Sequence, residues 1–127
     1  MIASIEVVTV YVSDLDRAVD FYVNKLGFEK RADMQFGNGA RRVEVSPPGD
    51  KTRIVLAQDY GGDWSEKRIG KFTGIVLSSR NVQAAYDALH ARGVRFTEPP
   101  AKQEEWGIQA QFLDQDENGY VLVQRLL

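Results

Sequence analysis

Apolar residues first alternate and then bunch along this chain, and they do so twice. Over residues 5–12, Val8, Val10 and Val12 fall in one row and Val7, Thr9 and Tyr11 in the other, the two-residue period of a strand. Glu6 shares the first row and marks the strand's frayed start. From Ser13 the period lengthens. Leu15, Ala18, Val19, Tyr22 and Leu26 recur at helical spacing, which predicts a helix with one buried stripe. Ser13, with Asp16 three residues on, is its predicted cap, and Gly27 its end. Strands over 28–36, 40–46 and 53–58 follow, separated by Gly37-Asn38-Gly39 and by Pro47-Pro48-Gly49-Asp50 turns. Residues 72–78 then restart the pattern. Asn81 is placed to cap a helix with the stripe Val82, Ala85, Tyr86 and Leu89, ended by Gly93, before strands at 94–97, 107–113 and 120–126.

The order is β-α-β-β-β, twice, which predicts an α+β fold of two tandem modules, about 1–60 and 71–127, in one domain spanning 1–127. A single helix covers only one face of a four-stranded sheet. Two modules side by side would make a curved, eight-stranded mixed sheet with helices outside and a concave inner face, the expected position of a site. The polar stretch 59–71, DYGGDWSEKRIGK, reads as a linker between the halves and a candidate mobile loop.

Composition narrows the function classes. The chain is 43% hydrophobic and 27% charged, ordinary for a globular domain. With no cysteine there is no disulfide framework, thiolate metal site or thiol nucleophile. No apolar run reaches the roughly 18 residues of a membrane span, and the first residues lack the basic start of a signal peptide. The expectation is a cytoplasmic protein with no membrane partner. A net charge of −2, with both signs interspersed, argues against nucleic acid.

Three segments, VYVSDLDRAVDFYVNKLGF, VEVSPPGDKTRIVLA and EWGIQAQFLDQDENGYVLVQ, resemble the vicinal oxygen chelate superfamily. It includes glyoxalase I, extradiol dioxygenases, methylmalonyl-CoA epimerase, and fosfomycin- and bleomycin-resistance proteins. The resemblance implies the paired-module fold and a homodimer, and is nearly silent about the reaction. Metal-using members place four His, Gln or Glu ligands on inner strand positions, two per module. Carried over motif by motif, those positions are Val7, Val55, Gly74 and Val121, or Val123 if Gly119 shifts the last register by two. None of these side chains offers a donor atom, so no metal and no other cofactor is expected. His90, the single histidine, lies on the second helix beside its stripe, and Glu6 falls on the opposite face from Val7.

Other motifs carry competing readings. Asp114-Gln115-Asp116-Glu117-Asn118-Gly119 opens like an EF-hand loop, but Arg125 stands where the twelfth-position Glu is required. It looks instead like the family's DPDGN turn, with Gln115 for Pro and Glu117 for Gly. Trp106, before a strand, is either a pocket-mouth aromatic or a plug against the sheet end. Tyr60, Trp64 and Phe36 carry similar ambiguity. Gln109 and Gln111, opposite in row to Phe112, point into the concavity or form a solvated polar face. Arg41, Arg42 and Arg53 either neutralise an anionic ligand or pair with neighbours such as Glu44. Ser78 and Ser79 precede a helix as caps, and no nucleophile–base pair emerges.

The expected ligand wall is Val7, Thr9, Tyr11, Val55, Gly74, Val76 and Val121, with Gln109, Gln111 and Trp106 adding polar and aromatic contacts. This suits a metal-independent protein that binds a small, partly apolar molecule, as the bleomycin-binding members do. The alternatives are a metal-dependent lyase, isomerase or dioxygenase, or a metal-free catalyst using a carboxylate or a tyrosine such as Tyr11.

Overall fold

The structure, a computed structural model, describes residues 1–58 and 66–126. Tyr60, Trp64 and most of the expected 59–71 loop lie outside the described residues. The chain divides into two compact units, Met1–Ile69 and Gly70–Leu127.

In the first unit, β1 (Val7–Tyr11) leads into α1 (Leu15–Val19), and β2 (Glu29–Gln35), β3 (Arg41–Ser46) and β4 (Arg53–Ala57) follow. The sheet order is β1-β4-β3-β2, with β1 and β4 parallel and the other pairs antiparallel. Val10, Leu56 and Val43 lie side by side across three strands and are 0–2% exposed. Arg41, in the same β3 row as Val43, reaches Asp16 of α1 at 2.7 Å, which fixes this as the helix-covered face. Burying such a row supplies most of the unit's stability, at roughly 25 cal/mol per Å² of apolar surface.

The first helix departs from the sequence expectation in two ways. Its N-cap is Asp14, not Ser13: the Asp14 carboxylate accepts from the Arg17 N–H at 2.9 Å. Beyond Val19 the helix widens into a π segment, Asp20–Lys25, with the Leu26 N–H reaching the Phe21 carbonyl. That wider turn brings two consecutive aromatics, Phe21 and Tyr22, to the core at 6% and 0% exposure. Val19 and Leu26 are left only half-buried.

The second unit repeats the plan. A short 3-10 turn, Glu66–Arg68, precedes it, and then come β5 (Phe72–Ser78), α2 (Val82–Ala91), β6 (Arg95–Gln103), β7 (Gly107–Leu113) and β8 (Gly119–Arg125). Its sheet order is β5-β8-β7-β6, with β5 and β8 parallel. An aromatic stack marks the helix-covered face: Tyr86 of α2 meets Phe96 at 4.6 Å, Phe96 meets Phe112 at 5.7 Å, and Phe112 lies parallel to Tyr120 at 5.3 Å. The eight expected strands thus form two four-stranded mixed sheets. β6 is longer than the expected 94–97 because it carries Pro99 and Pro100 through a register shift, which an edge strand tolerates.

The duplication extends to the caps. Asn81 caps α2 through the Ala84 N–H at 3.0 Å, as expected. In each unit a glutamine from the end of the last strand then satisfies the first free helical N–H. Gln58 Oε1 accepts from Leu15 at 2.7 Å, and Gln124 Oε1 accepts from Val82 at 2.9 Å. No helix among the described residues is long and apolar enough to cross a membrane.

Candidate functional site

Since α1 covers the Val10–Leu56–Val43 row, the alternate residues occupy the helix-free face of the first sheet. Register places Thr9 beside Val55, Val55 beside Glu44, and Glu44 beside Ala32. Val7 stands beside Arg53, and Tyr11 beside Ala57. Four expected wall residues, Val7, Thr9, Tyr11 and Val55, therefore share this face. Val55 is 4% exposed, whereas Thr9 is exposed.

The centre of that face is charged, and Arg42 and Arg53 follow the second of the two readings offered for them, pairing with Glu44. Glu44 is 7% exposed and held by two arginines. Arg42 Nε donates to Glu44 Oε2 at 2.8 Å, and Arg53 Nη1 donates to Glu44 Oε1 at 3.2 Å. The hydrogen bond from Arg42, with help from Arg53, holds the Glu44 carboxyl below its ordinary range against the opposing effect of burial. Arg41 takes no part. It faces the other way and clamps Asp33 and Asp16 at 2.9 and 2.7 Å, which holds the Asp33 carboxyl well below its usual range. The alternation of Arg42, Val43, Glu44 and Val45 was the available signal, but pairing within the triad depends on strand register that sequence does not display.

At the end of β1, Tyr11 is tied down. Arg68 Nη1 donates to the Tyr11 hydroxyl at 2.6 Å, and its guanidinium lies 5.0 Å from the ring centroid. The phenol is thus both hydrogen-bonded and covered by a guanidinium.

In the second sheet the helix-free face is read the same way. Val76 pairs with Val121, Val121 with Gln111, and Gln111 with Glu98, so one row crosses all four strands. Val123 and Gln109 form the next row. Gln109 and Gln111 are half-buried, and Gln111 Nε2 donates to Glu98 Oε2 at 3.3 Å. Val76 is 57% exposed and Gly74 is also exposed. Trp106 is 55% exposed, beside a recess of about 280 Å³ bounded by Gln103, Glu104 and Glu105 at the β6–β7 turn. It therefore does not plug the sheet end, and the recess lies on the turn, away from the Val76–Gln111 row.

The DQDEN segment is a turn closed largely by its own side chains, although Gln115 Oε1 within it is buried without a partner among the described residues. Asp114 Oδ1 accepts from the Asp116 and Asn118 N–H groups at 2.8 and 2.9 Å, and Asp114 Oδ2 accepts from Asn118 Nδ2 at 2.8 Å. Glu117 sits at φ 66°, the left-handed region where the family's turn carries glycine. His90 stacks on Tyr86 at 5.4 Å rather than standing alone.

The residues at the four positions marked by the resemblance do not fit a divalent metal. Val7, Val55, Gly74 and Val121 carry no donor atom. On the helix-free face of the first sheet the Glu44 carboxylate already has both oxygens in arginine hydrogen bonds, and on that of the second the Glu98 carboxylate accepts from Gln111. Among the described residues no group of three or more His, Cys, Asp or Glu is set to hold a metal ion.

Comparison with known proteins agrees with this architecture. The model of the Glyoxalase/Bleomycin resistance protein/Dioxygenase superfamily matches residues 4–122. A superfamily member of solved structure from Sphaerobacter thermophilus is 40% identical, with a TM-score of 0.86 and 98% of each chain covered. TnmS3 from Streptomyces sp. CB03234, described as an antibiotic binding protein, is 35% identical, with a TM-score of 0.82 and coverage of 98% of this chain and 97% of its own. YetH, an uncharacterized protein of Bacillus subtilis, is 35% identical over 122 residues, 96% of this chain and 98% of its own.

Proposed function

The chain belongs to the Glyoxalase/Bleomycin resistance protein/Dioxygenase superfamily, and from that premise we propose that it is a metal-independent binding protein for a small, partly apolar molecule. The observation that carries the reading is the identity of the four family ligand positions. Val7, Val55, Gly74 and Val121 offer surface and space where a metal-using relative needs donors. The candidate binding surface of each unit is its helix-free sheet face: Val7, Thr9, Tyr11 and Val55 in the first, and Gly74, Val76, Val121, Gln109 and Gln111 in the second. Trp106 adds an aromatic contact at the margin. A solved relative described as antibiotic-binding, 35% identical over nearly the whole chain, supports a ligand of natural-product size. The protein acts in the cytoplasm as a homodimer, and a solution mass near 14.3 kDa would contradict the dimer.

A thermal-shift screen tests the reading, with divalent metals in one arm and antibiotics and metabolites in the other. A ligand at about 100 times its Kd stabilises the folded state by about 2.7 kcal/mol, a shift of several degrees. The expected result is stabilisation by organic compounds with no metal requirement. Stoichiometric Ni, Zn, Mn or Fe in the purified protein, with an activity lost on chelation, overturns it in favour of a lyase, isomerase or dioxygenase.

A further inference from the structure

We propose that the Arg42–Glu44–Arg53 triad is the anchor for a negatively charged group on the ligand, so that the natural ligand is an apolar molecule bearing a carboxylate. This rests on the small-molecule reading above and specifies the class of molecule.

The triad sits among the expected wall residues of the first sheet: register puts Glu44 beside Val55 and Arg53 beside Val7. Its charges do not cancel, since two guanidinium groups face one carboxylate and leave a net positive charge. Each arginine spends one N–H on Glu44, Arg42 its Nε and Arg53 one from Nη1. A guanidinium carries five N–H donors, so most of each fork is uncommitted, and no other hydrogen bond engages either group among the described residues. Both side chains remain accessible, at 38% and 32% exposure, while the Glu44 side chain beneath them is 10% exposed. Glu44 is thus the positioning residue: it holds both forks on the face at a fixed separation before a ligand arrives. Planar guanidinium groups held in this way favour carboxylate geometry over a point charge. A neutral amide of the same shape cannot compensate the residual charge.

Paired probes test this: the carboxylates and carboxamides of naphthalene and biphenyl, titrated into the protein with its arginine Nε–H groups observed by NMR. The expected result is carboxylate binding roughly tenfold tighter than carboxamide binding, the scale of one charge-assisted hydrogen bond. The carboxylate should move the Arg42 and Arg53 Nε signals. Arg42→Gln and Arg53→Gln should each remove the carboxylate's advantage while carboxamide binding persists, which also reports that the variants are folded. Equal binding of both members of a pair overturns the anchor and leaves the small-molecule reading standing. A carboxylate preference that survives in the double variant places the anion elsewhere and likewise overturns the proposal. If no probe binds, the anchor fails, and the fate of the broader reading rests on whether neutral antibiotics stabilise the protein.

Discussion

Replacing Glu44 with glutamine removes the carboxylate that holds Arg42 and Arg53 together and keeps its size. Breaking a buried ion pair by removing one partner costs about 3–5 kcal/mol. Here the two arginines are 38% and 32% exposed, so water screens part of their repulsion, as it does for surface pairs worth about 0–1 kcal/mol. An intermediate cost of about 2 kcal/mol follows. With a urea dependence of about 1–3 kcal/mol per molar, the unfolding midpoint of Glu44→Gln should fall by about 1 M near neutral pH. The effect also has a pH signature. The carboxyl of Glu44 is held below its ordinary value of 4.5, chiefly by the Arg42 hydrogen bond. Its contribution is therefore fully present above that value and is lost as pH falls through the lower folded value. The gap between wild type and Glu44→Gln should accordingly close in acid. Urea titrations from neutral pH to about pH 3, read by tryptophan fluorescence, measure both. A midpoint change below about 0.2 M, or a gap that stays constant into acid, refutes the reasoning.

Three further substitutions probe the frame around the site. Gly107 has φ 138°, and a Cβ there would stand 1.9 Å from the Gln124 carbonyl oxygen; Gly107→Ala should cost about 3 kcal/mol and lower Tm by roughly 10 °C, and calorimetry showing no loss contradicts the packing of β7 on β8. Glu117→Gly relieves a left-handed residue at φ 66° and gives up only an exposed contact with Arg95, so Tm should rise by about 2–4 °C. Gln124→Ala leaves the Val82 N–H of α2 without its partner and should cost about 1 kcal/mol in urea unfolding.

Much of the frame was legible because rows on a strand obey a period of two. That is why Val7, Thr9 and Tyr11 separate from Val10 and Val12, and why Gln109 and Gln111 separate from Phe112. Where the period changes within an element, sequence misleads. The π segment after Val19 brings Phe21 to the core, a position that a 3.6-residue stripe leaves outside. The strand expected at 94–97 stops short of Pro99 and Pro100, yet both lie within β6, an edge strand with a register shift there. The charged centre was legible only as one of two readings, arginines on an anionic ligand or arginines paired with Glu44. Arg42 and Glu44 are visible as alternate polar residues of β3, but Arg53 joins them only through the pairing of β3 with β4. The same limit hid the opposite orientation of Arg41, which pairs with Asp33 across the β2–β3 hairpin and with Asp16 on α1, 25 residues away.

The central claim is binding without metal on the helix-free faces. Its most direct measurement is a titration of chelator-stripped protein, with valine methyls labelled, using the organic compound that stabilises the fold most. Saturable shifts of the Val55 or the Val121 methyls are expected, with a Kd unchanged by EDTA or by added Ni, Zn or Mn. Binding that appears only when metal is restored, or saturation that leaves both methyls unmoved, would contradict it.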